Sequence, residues 1–485
     1  MVYRENYEVN IGIEVHVQLN TKSKIFCLCN NSFSHEPNKH ICQICTGQPG
    51  SLPIFNKGVI TSAIKAGLAT NCSIAPISKF DRKHYIYPDL PKNYQITQNY
   101  IPICSNGYLK IRLEDGTSKN ITINRIHIEE DAGKNIHGFN SSDFKNSQSF
   151  VDLNRAGTPL LEIVTNPDIS SSYQAREYLK QLRLIMLYLK ISTGNMEEGA
   201  FRADTNISIR KKGQKELGTK CELKNINSFK FISDAIDYEI DRQINLIESG
   251  QSVNQETRLW DTVNKKTITM RSKGEAADYR YFNDPDLPYI TIRQEDIDML
   301  SSQMPILPNQ KFEELINNYK LNEQEADILV NDLELLEYYQ EAYKYTKSKH
   351  LINLVLRNLL SFVKEEKTTV ANCNINPKKI ASLVELYDKN VINNKAVQEV
   401  FDILKKDPNK APIDIVKEHG LEQIENTQEL EKIVKSLIDS NPEQVKEYKS
   451  GKVRMFGFFV GQAMKQTKNN ADPKIINKLL KKYLD

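Results

Sequence analysis

The sequence has no long apolar run. Nowhere in its 485 residues does it reach the roughly eighteen consecutive apolar side chains that a membrane-spanning helix requires. The first ten residues, MVYRENYEVN, also lack the basic head and apolar core of a secretory signal peptide. Apolar residues make up 39% of the chain and charged residues 26%, a composition typical of globular proteins. We therefore expect a cytoplasmic protein that makes no membrane contact.

Common nucleotide-binding and hydrolytic signatures are absent as well. The sequence contains no G-x-x-x-x-G-K-S/T loop and no G-x-G-x-x-G, which argues against P-loop, Rossmann and protein-kinase sites. It contains no H-E-x-x-H and no G-x-S-x-G, which argues against zinc proteases and α/β-hydrolases. Any catalysis must therefore use a different arrangement of residues.

The length and the hydrophobic pattern predict several domains. A mass of 55.7 kDa is too large for one ordinary core. Short alternating runs such as VNIGIEVHVQL and LKIRLED indicate strands in the first part of the chain, whereas helical spacing dominates later, as at Ile380, Leu383, Val384 and Tyr387. Two prolines in KKDPNKAPID interrupt the helical series. We predict an α+β protein with a β-rich domain at 1–294, a helical domain at 295–409 and a small domain at 410–485.

Positive charge is concentrated at the C-terminal end. The formal net charge is +3, yet residues 446–485 contain ten Lys or Arg against three acidic residues. A basic segment on a near-neutral chain suggests a polyanionic partner, although a solvated lysine-rich helix accounts for the charge equally well. Within this segment, Gly457 and Gly461 have a spacing typical of close helix packing, which we expect inside the C-terminal domain.

Four of the eight cysteines lie in the segment FCLCNNSFSHEPNKHICQIC. Cys27 and Cys29 form a C-x-C pair, Cys42 and Cys45 form a C-x-x-C pair, and twelve residues separate the pairs. A reducing compartment disfavours disulfides, so two short-spaced pairs predict a tetrahedral zinc ion with four thiolate ligands. Ordinary buried cysteines are the alternative. Because four protein ligands leave no open position on zinc, this site is predicted to be structural and the chemistry to lie elsewhere.

A carboxylate and an imidazole share one face of the first predicted strand. Alternation in NIGIEVHVQL places Gly12, Glu14, His16 and Gln18 on the face opposite the apolar residues. Such a pair can bind a metal or transfer a proton. A solvated outer face of an antiparallel sheet is the alternative interpretation of this strand taken alone.

Further carboxylates and cations recur near predicted strand ends. Hard oxygen ligands of this kind suit magnesium with nucleotide phosphates, and interspersed cations suit a transferred phosphoryl group. Because strand neighbours point to opposite faces, only one of Glu129 and Glu130 can face a common site. The additional acidic candidates are Glu129, Glu130, Asp131, Glu197, Glu198, Asp204 and Glu222, and the cations predicted to bind the nucleotide phosphates are Arg155, Arg202, Lys220 and Lys224.

Taken together, these segments resemble a known family. The motifs are IGIEVHVQL, KFDRKHYIYPDLPKNYQITQ, IHIEEDAGK, DLNRAGTPLLEIVT, NMEEGAFRADTNIS, GTKCELKNINSF, QETRLWD, DYRYFNDPDLP and GFFVGQAMKQTK. Their order and spacing are similar to the B subunits of tRNA-dependent amidotransferases, the GatB family, over essentially the whole chain. The resemblance implies an ATP-dependent carbon–nitrogen ligase that converts Glu-tRNA(Gln) or Asp-tRNA(Asn) into Gln-tRNA(Gln) or Asn-tRNA(Asn).

The resemblance also implies cofactors, partners and site residues. Members use ATP and magnesium to phosphorylate the side-chain carboxylate of the misacylated tRNA, and ammonia from the amidase (glutaminase) partner, the A subunit, then displaces the phosphate. A small C subunit completes the bacterial complex. The implied fold is a β-rich catalytic domain similar to glutamine synthetase, then a helical domain and a helical tail similar to YqeY. The implied metal and catalytic residues are Glu14, His16, Glu130, Asp204 and Glu222, with Glu162 as a weaker candidate.

Two rival functions fit parts of the sequence. A non-catalytic tRNA-binding protein would use the cysteine segment and the basic tail and leave the carboxylates at the surface. A stand-alone ligase that uses free ammonium and a small acid leaves the basic tail unexplained. We expect residues 410–485 to bind the tRNA body through phosphate contacts. The choice between Glu-tRNA(Gln) and Asp-tRNA(Asn) cannot be read from the sequence.

Overall fold

The chain forms two compact units, Met1–Lys311 and Phe312–Asp485. The structure is a computed structural model, and it describes residues 4–137, 149–272, 278–424, 427–467 and 470–484. None of the helices in these ranges is both long enough and apolar enough to cross a bilayer.

The first unit consists of strands in several groups separated by long helices. After a 3₁₀ turn at Arg4–Asn6, the described strands are β1 (Tyr7–Gln18), β2 (Ser73–Ile74), β3 (Ile77–Ser78), β4 (Asp81–His84), β5 (Tyr94–Thr97), β6 (Cys104–Arg112), β7 (Ser118–Glu130), β8 (Lys134–His137), β9 (Ser149–Asp152), β10 (Pro159–Thr165), β11 (Phe201–Lys211), β12 (Cys221–Lys224), β13 (Glu256–Asp261), β14 (Lys266–Ser272), β15 (Phe282–Asn283) and β16 (Ile290–Thr291). The described helices up to residue 317 are α1 (Lys57–Ala69), α2 (Ser172–Tyr188), α3 (Phe229–Glu248), α4 (Gln294–Ser302) and α5 (Pro308–Asn317).

A nine-stranded sheet organises this unit, in the order β14-β13-β12-β11-β1-β10-β7-β6-β2. β1 lies in its middle and pairs antiparallel with β10 and β11. Only β12 and β13 run parallel within the described sheet. The predicted alternation of β1 is confirmed, because Ile11, Ile13, Val15 and Val17 are completely buried while Glu14 and its face neighbours are only partly buried.

One core covers the apolar face of this sheet. Tyr178 and Leu182 of α2 and Ile232 and Ile236 of α3 belong to the same buried cluster as Val15 of β1. Each such side chain contributes on the order of 1.5–3 kcal/mol when it is fully buried. Because the helices occupy the apolar face, the opposite face of β1 is left for polar side chains.

The second unit is helical in the described residues. Its helices are α6 (Glu323–Asn331), α7 (Leu333–Tyr345), α8 (Leu351–Asn353), α9 (Leu360–Glu365), α10 (Pro377–Asp388), α11 (Asn394–Lys406), α12 (Pro412–Glu418), α13 (Thr427–Asp439), α14 (Pro442–Lys449), α15 (Arg454–Gln466) and α16 (Pro473–Leu484), with π-helical turns at Leu354–Leu359. The predicted helical spacing at Ile380, Leu383 and Val384 is confirmed by their burial in α10. The α+β fold class is therefore confirmed.

The four C-terminal helices have a core of their own. Leu430 and Val434 of α13, Phe459 of α15 and Leu480 of α16 are completely buried in one cluster. The expectation of close packing at Gly457 and Gly461 is wrong, because a Cβ atom added to either residue would meet nothing within 4 Å. The separation of residues 410–485 as a third domain stays a prediction.

Candidate active site

Strand register brings the predicted polar residues to one face of the sheet. His16 lies opposite Glu162 on β10, and Glu162 lies opposite His127 on β7. On the other side of β1, Glu14 lies opposite Asp204 of β11. Directly opposed residues in an antiparallel sheet share a face, so the side chains form one polar row across four strands.

Two histidines and two glutamates form the first group, which we call the histidine cluster: His16, His127, Glu129 and Glu162. His16 Nε2 lies 3.3 Å from Glu129 Oε1 and 3.5 Å from Glu162 Oε2. His127 Nε2 lies 3.3 Å from Glu162 Oε2 and 3.6 Å from Glu129 Oε2. The ligand atoms of His16, Glu129 and Glu162 are close enough to hold one metal ion.

Burial and charge act against each other in the histidine cluster. Burial lowers the pKa of His16, but hydrogen bonds to Glu129 and Glu162 outweigh it and raise this pKa to about 10. Burial also lowers the pKa of His127, but the negative charge of Glu162 outweighs it and raises this pKa to about 9. Burial and Glu162 would raise the pKa of Glu129, yet hydrogen bonds from both imidazoles lower it to about 2. At neutral pH the protein alone therefore holds alternating positive and negative groups here.

A second group, the carboxylate cluster, consists of Glu14, Asp204, Glu222 and Lys224. Lys224 Nζ lies 2.5 Å from Asp204 Oδ2 and 3.3 Å from Glu222 Oε1. Burial raises the pKa of Glu14, and the charges of Glu162 and Asp204 raise it further. Because Glu14 is influenced by carboxylates of both clusters, the two clusters form one continuous site of charged side chains.

The structure does not bring Glu130 to the other predicted ligands. Its side chain pairs with Lys92 and accepts a hydrogen bond from the Ile96 N–H at 2.9 Å. Glu129, the preceding residue on β7, points to the opposite face and occupies the position beside His16. Glu129 therefore lies in the histidine cluster, and the role assigned to Glu130 stays a prediction.

Two buried or half-buried residues of this site were missed from the sequence. The alternation in RIHIEE places His127 on the same strand face as Glu129, which is a sequence signal for its position. Lys83 of β4 interacts electrostatically with the histidine cluster, and its Nζ lies 4.7 Å from the centre of the Tyr279 ring. Burial lowers the pKa of Lys83, but the negative charges of Glu129 and Glu162 outweigh it, and the pKa is raised.

Asp131 holds the two predicted arginines. Arg202 Nη2 lies 3.0 Å from Asp131 Oδ2, and Arg155 Nε lies 3.4 Å from the same oxygen. Gln18 on β1 also donates to it at 2.9 Å. Lys220, by contrast, is exposed in the segment before β12.

A cleft of about 1000 Å³ lies beside the carboxylate cluster, at Asp204. Its wall includes Arg155, Arg202 and Asp204, together with Glu197 and Glu198 from the loop before β11. The volume lies at the upper end of the range that holds small ligands. Carboxylates and guanidinium groups thus face a single space.

The four cysteine thiols also form a compact group. Their Sγ atoms all lie within 4.8 Å of one another, and Cys42 and Cys45 are 3.9 Å apart at Sγ. A tetrahedral zinc ion with Zn–S bonds of about 2.3 Å requires S–S separations of roughly 3.8 Å. The Cys42 N–H donates to the Cys45 Sγ at 3.1 Å, and a hydrogen bond from Cys27 lowers the pKa of Cys45 to about 5. The group can bind a metal ion.

Comparison with known proteins identifies the family. The model described as "GatB/GatE catalytic domain" matches residues 9–298, and the model described as "GatB domain" matches residues 337–484. This chain belongs to the GatB family. The GatB resemblance found in the sequence motifs is thereby confirmed, as is a YqeY-type domain at the C-terminal end.

Full-length GatB relatives are similar to this chain throughout. The relatives from Thermodesulfovibrio yellowstonii, Syntrophotalea carbinolica and Persephonella marina are 46%, 47% and 47% identical over 479, 479 and 480 residues. The alignments cover 99% of this chain and 99%, 98% and 99% of the relatives. Each relative is named as the B subunit of an aspartyl/glutamyl-tRNA(Asn/Gln) amidotransferase.

Proposed function

We propose that this chain is the B subunit of a tRNA-dependent amidotransferase. In the proposed reaction the γ-phosphoryl group of ATP passes to the side-chain carboxylate of Glu-tRNA(Gln) or Asp-tRNA(Asn). Ammonia then attacks the acyl carbon, phosphate leaves, and an amide remains. The observation that carries the proposal is the pair of adjacent clusters on one sheet face, of which Asp204 lines a cleft together with Arg155 and Arg202.

The donor atoms of the two clusters fit divalent cations. Glu14, Asp204 and Glu222 offer only carboxylate oxygens, the ligands that magnesium prefers. The second set, His16, Glu129 and Glu162, adds an imidazole nitrogen, a ligand that also suits transition metals. Bound at these residues, such ions would neutralise the charge that develops on the phosphoryl oxygens.

The chain's own cations would orient the phosphates. Lys224 places a fixed positive charge between Asp204 and Glu222, beside Glu14. Asp131 holds Arg155 and Arg202 at the cleft wall, where their remaining N–H groups can bind phosphate oxygens. The same contacts preorganise these side chains, so that little reorganisation is needed when substrate binds.

The remaining parts of the chain would support this reaction. We propose that ammonia comes from a separate glutaminase partner, that a small C subunit completes the assembly, and that the basic residues 446–485 bind tRNA. Support comes from the relatives' name, which specifies one subunit of a tRNA amidotransferase. We further propose that Cys27, Cys29, Cys42 and Cys45 bind a structural zinc ion, since their spacing matches a closed tetrahedral site.

Two neighbouring substitutions test the site. In the complex with the glutaminase partner, supplied with ATP, glutamine and Glu-tRNA(Gln), Glu129→Gln should lower tRNA-dependent ATP cleavage at least about 100-fold because it removes a charge that would bind metal. Glu130→Gln is the matched control: it weakens the pair with Lys92 and should affect stability more than ATP cleavage. Glutamine hydrolysis by the glutaminase partner should persist in both.

The opposite result would reassign the site. A normal rate of ATP cleavage in Glu129→Gln, together with loss of ATP cleavage in Glu130→Gln, would assign the catalytic role to Glu130. If neither substitution altered ATP cleavage, neither carboxylate would take part in the reaction and the proposed site would be wrong. A wild-type complex without tRNA-dependent ATP cleavage would instead support a non-catalytic tRNA-binding protein.

A further inference from the structure

Lys24 is completely buried, with an exposed fraction of 0%. Its ammonium donates to the carbonyl of His40 at 2.7 Å and lies 3.4 Å from the carbonyl of Leu153. Within the described part of the chain, no carboxylate lies within ion-pair distance of it. A buried ammonium is strongly unfavourable unless a counter-charge lies nearby, so its partner must be sought among other groups.

The four clustered cysteines are candidates for this partner. A Cβ atom added at Gly157 would lie 3.6 Å from Cys45 Cβ and 3.6 Å from Lys24 Cδ, so the Lys24 stem and Cys45 both adjoin Gly157. The backbone N–H of Lys24 also donates to the Cys29 carbonyl at 3.0 Å. Lys24 therefore contacts the segments that carry both cysteine pairs.

The net charge of a metal–thiolate centre at the four cysteines suggests a role for Lys24. Four thiolates around one divalent ion carry a net charge of about −2, which is itself costly to bury. We propose that Lys24 is a positioning residue that supplies the counter-charge to the metal–thiolate centre and ties that centre to the loop at 153–157. The inference rests on the proposed metal site at the four cysteines and adds a residue outside that ligand set.

The loop connects this centre to the active-site cleft. Leu153, which accepts from Lys24, lies two residues before Arg155, and the Ile25 N–H donates to the Gly157 carbonyl at 2.9 Å. The Gly157 N–H in turn donates to the Asp131 carbonyl at 3.0 Å. A loss of metal or of the Lys24 charge should therefore loosen the segment that presents Arg155.

The first test measures metal release from the full chain. After loading with zinc, the wild type, Lys24→Met and Lys39→Met are mixed with a chromogenic chelator in excess. Lys24→Met keeps an apolar stem but removes the charge, so release should be about 10- to 100-fold faster, as for other groups that support metal ligands. Lys39 is an exposed lysine of the same loop, paired with Glu36 at 2.6 Å, and Lys39→Met should stay within about twofold of wild type.

A second measurement separates charge from packing. In a Cys42→Ser background that no longer holds the ion tightly, Lys24→Met should lower the melting temperature much less than it does in the loaded wild type. Equal losses in both backgrounds would show a packing role and overturn the inference. Hydrogen exchange of peptides covering 152–158 should accelerate in Lys24→Met and remain unchanged in Lys39→Met.

If Lys24→Met does not fold, a third variant still tests the proposal. Lys24→Gln can still donate to the His40 carbonyl but carries no charge, so it should also release zinc faster. Wild-type release rates in every folded Lys24 variant would overturn the inference and leave the metal site standing. A wild type that binds no zinc at all would overturn both, while the ATP-dependent reaction would still be decided by Glu129→Gln.

Discussion

At the scale of single residues, the first unit buries a network of charged side chains around Glu239. Glu239 of α3 has an exposed fraction of 0% and accepts hydrogen bonds from Arg242 at 2.7 Å, Gln243 at 2.9 Å and Thr267 at 3.0 Å. Arg258 of β13 lies 3.4 Å from the same carboxylate. This network fixes α3 against the edge of the sheet that carries the carboxylate cluster.

Removal of that charge should destabilise the unit. Glu239→Gln leaves one buried and one partly buried guanidinium group with less counter-charge, so the free energy of unfolding at pH 7 should fall by about 3 kcal/mol. The urea midpoint of the first unit measures this. As a control, Glu341→Gln disrupts an exposed pair with Lys344 and should change the free energy by no more than about 0.5 kcal/mol.

The pH dependence of this effect has a definite sign. Burial raises the pKa of Glu239, but hydrogen bonds from Arg242 and Gln243 outweigh it, so the folded-state pKa lies below the ordinary value. The stabilisation is therefore fully present above the unfolded pKa of about 4.3 and is lost as the pH falls through the lower folded value. The difference in urea midpoint between wild type and Glu239→Gln should shrink below about pH 4, and a constant difference would contradict the assignment.

At the scale of elements, local pattern predicted β1 well and could not predict its partners. The alternation around Glu14 and His16 follows from the two-residue period of a strand, which is a local property. Which of Glu129 and Glu130 joins them depends on the pairing of β10 with both β1 and β7, and that register is set by distant strands. The sequence motifs therefore identified the segments of the site, whereas the set of contacting side chains required the fold.

Helix α15 gives the clearest failure of a local pattern. The G-x-x-x-G spacing of Gly457 and Gly461 is typical of close packing, yet both residues are exposed. Glycine in a helix interior costs up to about 1 kcal/mol relative to alanine, so Gly461→Ala should raise the melting temperature of the tail. Gly218→Ala is the opposing case, since its Cβ would collide with the Ile209 carbonyl and lower stability. A loss of stability in Gly461→Ala would show that α15 packs more closely than the structure indicates.

At the scale of the whole molecule, the structure refines where the tail can be separated. The sequence alone suggests a cut after Asp407, at the prolines. However, Ile415 and Val416 of α12 are completely buried, and α12 packs against α10 and α11. The independent C-terminal core begins later, with Leu430 of α13. A chain that ends at Leu421 should therefore keep a folded body, whereas a cut after Asp407 would remove α12 and uncover the surfaces it covers.

The proposed role of the tail predicts a specific salt dependence. Lys474, Lys478 and Lys481 are exposed on α16, and phosphate contacts by lysine release counterions from the nucleic acid. Replacement of all three with glutamine should preserve the fold, weaken tRNA binding, and reduce the slope of log affinity against log salt by up to about 3. The chain ending at Leu421 should lose more affinity and more slope, while its ATP site remains intact. A matched triple change at Lys211, Lys212 and Lys215, exposed in the first unit, should leave the slope nearly unchanged. If the α16 variant and the shortened chain bound tRNA with wild-type affinity and slope across the salt series, tRNA would be anchored by other parts of the chain.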